Sequence, residues 1–248
     1  MGRHESGQHR SHRDGRALFV PVCLGLFAVQ TMLFSGCAPA PAARPDAGLR
    51  IYLARHGQTD WNAARKLQGQ SDTHLDEKGR AQAVQLAEAL RGVRLDAAYS
   101  STLSRSRETA EAARGSTPLT ALDGLREQAL GKFEGLALAG NDSTAVAEYQ
   151  RRSKDPDDAL DGGESTNQFY ARVRTTVQTI LERHPSGTIL IVGHSGTNQM
   201  ILRVLFELEP AQAASIRQAN DEIYLIERAP GGQPRLWKRI TAGNLGDL

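Results

Sequence analysis

Two histidines stand where short apolar runs end at glycine-containing turns. His56 follows the run 49–53 with Arg55 directly before it, and His194 follows the run Ile189–Val192. Both runs predict buried strands of an α/β sheet. Ligands of such sheets bind beyond the carboxyl ends of the strands, so we expect the two histidines to meet at one edge. The arginine beside the first histidine indicates an anionic ligand.

Further polar and glycine-containing segments accompany these two stretches in a fixed order. They are Leu67–Gly69, Asp72–Gly79, Ser100–Ala110, Leu125–Gly135 and Gly162–Ser165. With Leu53–Asn62 and Val192–Ser195, they resemble the motifs of the histidine phosphatase superfamily, also called the phosphoglycerate mutase-like family. The resemblance covers residues 49–240. The chain departs from the family at His74, where proline is common, and at Phe133, where tryptophan is common; neither is a catalytic position.

The resemblance implies phosphoryl transfer through a covalent intermediate. It assigns His56 as the nucleophile, whose unprotonated nitrogen attacks phosphorus to form phosphohistidine. It assigns Glu127 as the general acid that protonates the leaving oxygen and then as the base that activates water. The residues implied to bind the phosphoryl oxygens are Arg55, Asn62, Arg105 and His194. The family uses no cofactor and no metal, and the sequence has no cluster at metal-ligand spacing.

Some of these assignments have competitors in the sequence. Arg107 lies two positions after Arg105, but the spacing from the flanking motifs favours Arg105. Glu134 and Glu164 compete with Glu127 for the role of the acid, and the motif favours Glu127. A buried structural role is the alternative for His194. We expect the two remaining histidines of the domain, His74 and His184, to be solvated.

The N-terminal residues differ in composition from the rest of the chain. Arginines precede an apolar stretch, Ala17–Phe34, which is followed by Ser35-Gly36-Cys37. This layout predicts a signal peptide over residues 1–36. It resembles a bacterial lipobox, which implies lipidation of Cys37, a membrane-anchored extracytoplasmic protein and transport to the outer membrane. An uncleaved anchor over Ala17–Phe34 and a conventional cleaved signal are the alternatives.

Charge and cysteine usage restrict the partners of the chain. Lys and Arg number 30 against 28 Asp and Glu, and residues 1–36 hold four arginines and two acids, so residues 37–248 are formally neutral. This balance gives no indication of nucleic-acid binding. Both cysteines, Cys23 and Cys37, precede the predicted domain, which therefore has no disulfide. The expected partners are a phosphorylated small molecule or envelope component and, through the lipid, a membrane. The sequence does not indicate an oligomeric state.

The predicted domain organisation is a Pro/Ala-rich tether over 37–48 and one domain over 49–248. Apolar spacing predicts helices and strands in alternation, which favours a three-layer α/β/α sandwich with a mostly parallel sheet. The predicted helices cover residues 77–91, 103–113, 166–184 and 196–206, and the other predicted strands cover 95–99, 223–226 and 236–240. Ser165 and Gln168 form a possible capping box. Residues 136–161 are either a lid near the site or an ordinary surface connection.

Hydrolysis of a phosphomonoester is the function these features favour. A phosphomutase and a non-catalytic protein that binds phosphorylated ligands are the alternatives. A non-catalytic binding protein is expected to lack His56 or Glu127, and both are present. The extracytoplasmic address suits hydrolysis better than glycolysis. Sugar phosphates, nucleotides, phosphorylated envelope glycolipids and phosphohistidine proteins all remain open as substrates.

Overall fold

The computed structural model describes residues 48–139 and 143–241. In this part of the chain the strands are β1 (Leu49–Arg55), β2 (Ala97–Ser101), β3 (Leu119–Leu122), β4 (Gly187–Gly193), β5 (Glu222–Arg228) and β6 (Pro234–Thr241). The helices are α1 (Asp60–Ala63), α2 (Glu77–Ala89), α3 (Ser104–Ala113), α4 (Ser143–Arg152), α5 (Thr166–Arg183), α6 (Ser195–Phe206) and α7 (Pro210–Ser215). The predicted signal peptide, Cys37 and all of the predicted tether except Gly48 lie outside the described residues.

The strands form one sheet in the order β3-β2-β4-β1-β5-β6. Strands β1 to β4 are parallel to one another, whereas β5 runs antiparallel to β1 and β6 runs antiparallel to β5. The sheet is therefore mixed, as the prediction of a mostly parallel sheet allows. The reversal has a local cause: residues 216–221 return to the carboxyl ends of the parallel strands, where Gln218 binds Arg55. Strand β5 therefore starts at that end and runs in the opposite direction.

Alternating side chains of the strands build two cores, one on each face of the sheet. Leu53 of β1 packs with apolar residues of α5 and α6, whereas Tyr52 packs with those of α2 and α3. The same alternation separates Ile191 from Leu190 on β4. Burial on both faces explains the nearly continuous apolar runs of these strands. The arrangement confirms the predicted three-layer α/β/α sandwich.

Local signals place the ends of several helices as predicted. The Ser165 hydroxyl accepts a hydrogen bond from the Gln168 amide at 3.2 Å, and the Gln168 side chain accepts one from the Ser165 amide at 2.9 Å. This pair is the predicted capping box of α5. Strand β2 begins two residues later than predicted. The carbonyl of Leu95 accepts a hydrogen bond from the Thr117 hydroxyl and takes no part in the strand ladder.

The prediction that His184 is solvated is wrong. Its ring is half-buried, its Nε2 lies 2.8 Å from the Tyr99 hydroxyl, and burial lowers its pKa. The reason is that α5 ends against β2, which the local sequence does not show. His74 is exposed as predicted and forms an ion pair with Glu108.

Residues 136–139 and 143–161 contain helix α4 and contribute Leu160 to a third, smaller apolar cluster. Leu130, Phe133 and Leu160 form this cluster, and Tyr149 of α4 packs against it. Arg152 at the end of α4 binds Asp158 and Asp161. No helix in the described ranges is both long and apolar enough to cross a membrane.

Candidate active site

The predicted site residues converge where β1, β4 and β2 end. Arg55 pairs in register with Gly193, so the residues that follow β1 and β4 are neighbours across the sheet. The ring centroids of His56 and His194 are 5.1 Å apart, which confirms that the two histidines meet. A cavity of about 480 Å³ opens at this edge. Its lining includes Arg55, His56, Asn62, Lys66, Arg105, Glu127, Leu138, Tyr149, Gly196, Gln199 and Arg217.

Hydrogen bonding fixes the tautomer of His56. Its Nδ1 lies 2.7 Å from the carbonyl oxygen of Gly57, which can only accept a hydrogen bond. Nδ1 therefore carries the proton, and Nε2 keeps its lone pair. The backbone is held on both sides, because the His56 amide donates to the Gly193 carbonyl and Asn220 donates to the His56 carbonyl. The side chain is thus presented in the form that a nucleophile requires.

The surroundings of His56 favour its uncharged form. Burial lowers its pKa well below the ordinary value, and the charges of Arg55 and Arg105 lower it further. The hydrogen bond to the Gly57 carbonyl acts in the opposite direction. Because burial and the two arginine charges outweigh this hydrogen bond, the ring remains neutral at pH values where a free histidine is protonated.

Arg55 lines the cavity and keeps one buried donor without a partner among the described residues. Its Nη1 donates to the carbonyl of Gln218 at 2.9 Å, whereas its buried Nε has no hydrogen-bond partner among the described residues. Burial lowers the pKa of this guanidinium, although the Glu127 charge opposes the effect. Gln218 is itself held by Asn198, which donates to its side-chain oxygen at 2.6 Å. A buried donor without a protein partner beside the nucleophile suits a phosphoryl oxygen.

Arg105 is positioned almost entirely by the protein. Its guanidinium donates to the carbonyls of Gly69 and Ser71 at 2.7 and 2.8 Å, and its Nε donates to His194 Nδ1 at 3.2 Å. Burial lowers its pKa to about 10, which leaves it charged at neutral pH. Only 1% of its surface is exposed, whereas Arg107 points to solvent. The structure therefore places Arg105, not Arg107, in the site.

His194 contacts protein groups with both ring nitrogens. Nδ1 accepts from Arg105, so the proton lies on Nε2, which is 2.7 Å from the Ser101 hydroxyl. The ring is fully buried, and burial with the nearby arginines lowers its pKa well below the ordinary value. In this arrangement His194 holds Arg105 in place. To contact a phosphoryl oxygen as predicted, His194 would have to give up its hydrogen bond from Arg105.

Asn62 lines the cavity and also caps a helix. Its side-chain oxygen accepts from the Thr59 amide at 3.2 Å, and its own amide donates to the Thr59 hydroxyl at 3.1 Å. These bonds form the capping box of α1. They leave the side-chain NH₂ group as the part of Asn62 that can reach a ligand, in agreement with its predicted role.

Glu127 lies at the N-terminus of α6. One carboxylate oxygen accepts from the Gly196 amide at 2.9 Å, and the other accepts from the amides of Thr197 and Gln128 at 3.2 and 3.0 Å. An added Cβ at residue 196 would lie 2.5 Å from Glu127 Oε1, so a larger residue there would displace this carboxylate. Three backbone donors hold the carboxyl group at the wall of the cavity that contains His56.

The two competing glutamates have structural roles. Glu134 accepts from the amides of Gln70 and Leu130 and from the Ser71 hydroxyl, which organises the loop that carries the Arg105 contacts. Glu164 forms a bidentate ion pair with Arg172 at 2.6 and 2.7 Å. Neither of them lines the cavity that contains His56, whereas Glu127 does, which favours Glu127 as the acid.

Arg172 organises the segment that carries Glu127. It donates to the backbone carbonyls of Gly124, Arg126 and Glu127 at 3.0, 3.1 and 3.3 Å, and its planar group also lies over the ring of Phe169. A guanidinium can make these bonds and the Glu164 pair at once because its donors form a planar fork. Arg172 thereby links α5 to the position of the acid.

Replacing Arg172 with lysine is expected to misplace Glu127. A single ammonium group cannot hold Glu164 and several carbonyls together. We expect kcat for alkyl phosphates to fall about 10- to 100-fold, in the range of misplaced catalytic groups, with a smaller fall for a nitrophenyl phosphate. Steady-state kinetics on both substrates measure this difference. Arg174→Lys, an exposed neighbour on the same helix, is the control; equal losses in the two variants would contradict the role.

The buried histidines predict a fall in stability at acidic pH. Their native pKa values lie well below the unfolded value, so below pH 6.5 the unfolded chain binds protons that the native state does not. Each contributes a loss of up to about 1.4 kcal/mol per pH unit. His56→Gln is expected to make the decline shallower between pH 6.5 and 5, measured by urea unfolding. His74→Gln, at an exposed site, should not do so, and an unchanged slope in His56→Gln would refute the assignment.

No group of three or more His, Cys, Asp or Glu residues that could hold a metal occurs in the described part of the chain. The arginine and lysine side chains that line the cavity carry N–H donors and positive charge, so the cavity is suited to binding an anion.

Sequence reasoning missed the residues that hold the site from behind. Gln218, Asn198, Ser101, Asn220 and Arg172 act mainly through bonds to backbone atoms or to other polar side chains. Most of their partners are far away in sequence, so spacing gives no signal for them. A weak signal exists for Arg172, which follows Glu164 by about two turns of helix.

Comparisons with known proteins agree with this geometry. The sequence profile of the histidine phosphatase superfamily (branch 1) matches residues 51–239. "Phosphoglycerate mutase-like protein 4" of Arabidopsis thaliana is 34% identical over 174 residues, which is 68% of this chain and 74% of that protein. "Probable phosphoglycerate mutase GpmB" of Salmonella choleraesuis (strain SC-B67) is 36% identical over 206 residues, 81% of this chain and 95% of that protein.

Solved structures give the same result. A mycobacterial glucosyl-3-phosphoglycerate phosphatase in complex with VO3 superposes with a TM-score of 0.68 at 31% identity, covering 78% of this chain and 99% of the other. The relatives are described as mutases or phosphatases, which supports an enzyme. With the family profile covering most of the chain and His56, Arg55 and Arg105 lining one cavity, the protein belongs to the histidine phosphatase superfamily, branch 1.

Proposed function

We propose that the protein hydrolyses phosphomonoesters through a phosphohistidine on His56. The observation that carries the proposal is the hydrogen bond from His56 Nδ1 to the Gly57 carbonyl, which leaves Nε2 free as the nucleophile. Arg55 beside it has a buried donor that no described residue accepts from, and Glu127 lines the same cavity. These groups supply the attack, the charge stabilisation and the proton that the reaction needs.

In the first step, His56 Nε2 attacks phosphorus and the ester P–O bond breaks. The leaving oxygen takes a proton from the Glu127 carboxyl group and departs as an alcohol. Because Nδ1 keeps its proton, the phosphorylated ring gains positive charge, which the Gly57 carbonyl stabilises. Arg55 and Arg105 stabilise the charge on the equatorial phosphoryl oxygens.

In the second step, Glu127, now a carboxylate, accepts a proton from water. The resulting hydroxide attacks phosphorus, the N–P bond breaks, and inorganic phosphate leaves with its charge still bound by the arginines. His56 returns to its neutral form with the proton on Nδ1. The positive charge on the phosphorylated ring makes it a good leaving group, so both steps use the same set of residues.

A panel of phosphomonoesters assayed for phosphate release tests this proposal. Turnover in ¹⁸O-labelled water is expected to place one labelled oxygen in each released phosphate, since water attacks the phosphoenzyme. Release without label, or no release from any ester, would refute hydrolysis by this route.

A phosphomutase is the second candidate, and the identity to a probable phosphoglycerate mutase favours it. A mutase returns the phosphoryl group to a second hydroxyl of the substrate. Transfer between the hydroxyl groups of a phosphoglycerate, faster than phosphate release, would support this candidate over hydrolysis.

We also propose an extracytoplasmic, lipid-anchored address for the domain. Support comes from the sequence of residues 1–37 alone: arginines, an apolar stretch and small residues directly before Cys37. An extended tether over Ala38–Gly48 spans at most about 36–40 Å, which would keep the cavity close to the membrane surface. A soluble ester and a phosphorylated membrane component are both compatible with this placement.

Cys37→Ser is expected to abolish lipid attachment and release the domain from the membrane fraction. In a lipoprotein the lipid is attached to the cysteine sulfur, and a serine hydroxyl cannot replace it. Incorporation of a labelled fatty acid and membrane fractionation measure the effect, with Cys23→Ser as the control. Unchanged size, labelling and fractionation would instead favour an uncleaved anchor over Ala17–Phe34.

A further inference from the structure

The charge of the cavity exceeds what one phosphoryl group requires. Glu127 is the only acidic side chain of its lining in the described part of the chain, whereas Arg55, Arg105, Lys66 and Arg217 are cationic. Arg55 and Arg105 lie beside the nucleophile, and the phosphoryl group occupies them in the proposed reaction. Lys66 and Arg217 belong to the outer part of the lining, and the proposed reaction gives them no role.

Arg217 is held in a defined position. The Tyr224 hydroxyl donates to the Arg217 carbonyl at 3.1 Å, and the next carbonyl, of Gln218, binds Arg55. The guanidinium donates through Nη1 to the carbonyls of Ala214 and Ile216. These bonds leave Nε and Nη2 without a carboxylate partner among the described residues. Because the next residue, Gln218, binds Arg55 through its carbonyl, the backbone of Arg217 is fixed relative to the phosphoryl site.

The backbone of Lys66 is also held in place by other residues. Its amide donates to the Trp61 carbonyl at 2.8 Å, and its backbone pairs with Ala137. The ammonium group lies 5.8 Å from the centre of the Trp61 ring and forms no ion pair with a described residue. Two cations beside the same cavity, neither paired with a carboxylate of the described ranges, attract an anion more strongly than scattered surface charges do.

We propose that the substrate carries a second anionic group on its leaving-group side, recognised by Lys66 and Arg217. The apolar side chains of Leu138 and Tyr149 line the cavity as well, which suits a short carbon skeleton between the two anions. This inference rests on the proposed phosphatase function and narrows its substrates. A carboxylate and a second phosphate share the required chemistry, and the experiment below separates them.

Three esters with the same three-carbon chain test the inference. They are propyl phosphate, 3-(phosphonooxy)propanoate and propane-1,3-diyl bisphosphate, with 4-nitrophenyl phosphate as a reference. We expect kcat/KM for at least one anionic tail to exceed that for propyl phosphate about tenfold, the effect of one charge-assisted hydrogen bond. The tail that is preferred identifies the anion. The preference should decrease with added salt.

Variants then locate the recognition. Lys66→Met and Arg217→Gln are each expected to reduce the preference for the anionic tail about five- to tenfold. Lys78→Met and Arg107→Gln remove exposed cations outside the cavity and should keep the preference.

Two kinds of result overturn the inference while the phosphatase function stands. One is equal kcat/KM for the neutral and anionic tails, or turnover of 4-nitrophenyl phosphate with none of the anionic esters. The other is a preference that survives both cavity variants. Absence of hydrolysis for all four esters would overturn the proposed function together with the inference.

Discussion

Replacing His56 with alanine is expected to abolish turnover and the phosphoenzyme. Loss of a nucleophile in a covalent mechanism costs on the order of 10⁶-fold in kcat. The remaining arginines can still bind the ester, so substrate affinity should be retained to a large extent. Rapid quenching with ³²P-labelled substrate should show an acid-labile, base-stable adduct in the natural protein and none in the variant.

Two controls make the His56 experiment specific. His74→Ala removes an exposed histidine outside the cavity and should leave both the adduct and turnover intact. The circular dichroism spectrum of His56→Ala should match that of the natural protein, because the change removes one side chain and keeps the backbone bonds of residue 56. A labelled adduct that persists in His56→Ala would refute the assignment of the nucleophile.

Replacing Glu127 with glutamine is expected to produce a loss that depends on the leaving group. The amide keeps the size of the side chain and one oxygen that can accept from the Gly196 amide, whereas its NH₂ group loses the bonds from the Thr197 and Gln128 amides. It cannot donate the proton, which costs about 10²- to 10⁴-fold for alkyl phosphates. A nitrophenyl leaving group needs little protonation, so its first step should slow much less. A plot of log kcat/KM against the leaving-group pKa should therefore steepen in the variant.

The matched control for this experiment is Glu182→Gln. Glu182 is an exposed glutamate on α5 that does not line the cavity. Its substitution should change neither the slope of the plot nor the rates. If Glu127→Gln lowers kcat/KM equally for alkyl and nitrophenyl esters, Glu127 has a role other than proton donation.

The parts of the fold that the sequence predicts correctly depend on local rules. Short continuous apolar runs predict β1 and β4 as strands buried on both faces, and period-3.6 spacing predicts α2 and α5. The meeting of His56 and His194 follows because both end parallel strands. The antiparallel direction of β5 was not predicted, since it depends on where residues 216–221 return to the sheet.

The site divides in a similar way. The residues that face the cavity, such as Arg105, stand in motifs and are visible in the sequence. Their supports are not: Arg55 is held by a backbone carbonyl more than 160 residues away, which any residue type at position 218 could supply. Glu134 shows the converse case. It resembles a candidate acid by type and position, but its bonds to the amides of Gln70 and Leu130 give it a structural role.

The third apolar cluster has a consequence for how this protein can evolve. Leu130, Phe133 and Leu160 form a core of their own, separate from the two cores that hold the sheet, and the cluster adjoins the outer wall of the cavity. The nucleophile and its arginines are instead fixed by strand ends and backbone carbonyls. Mutations in residues 136–161 can therefore alter which leaving groups fit while the phosphoryl chemistry persists. Homologous proteins could therefore diverge in substrate specificity through successive mutations without passing through an inactive form.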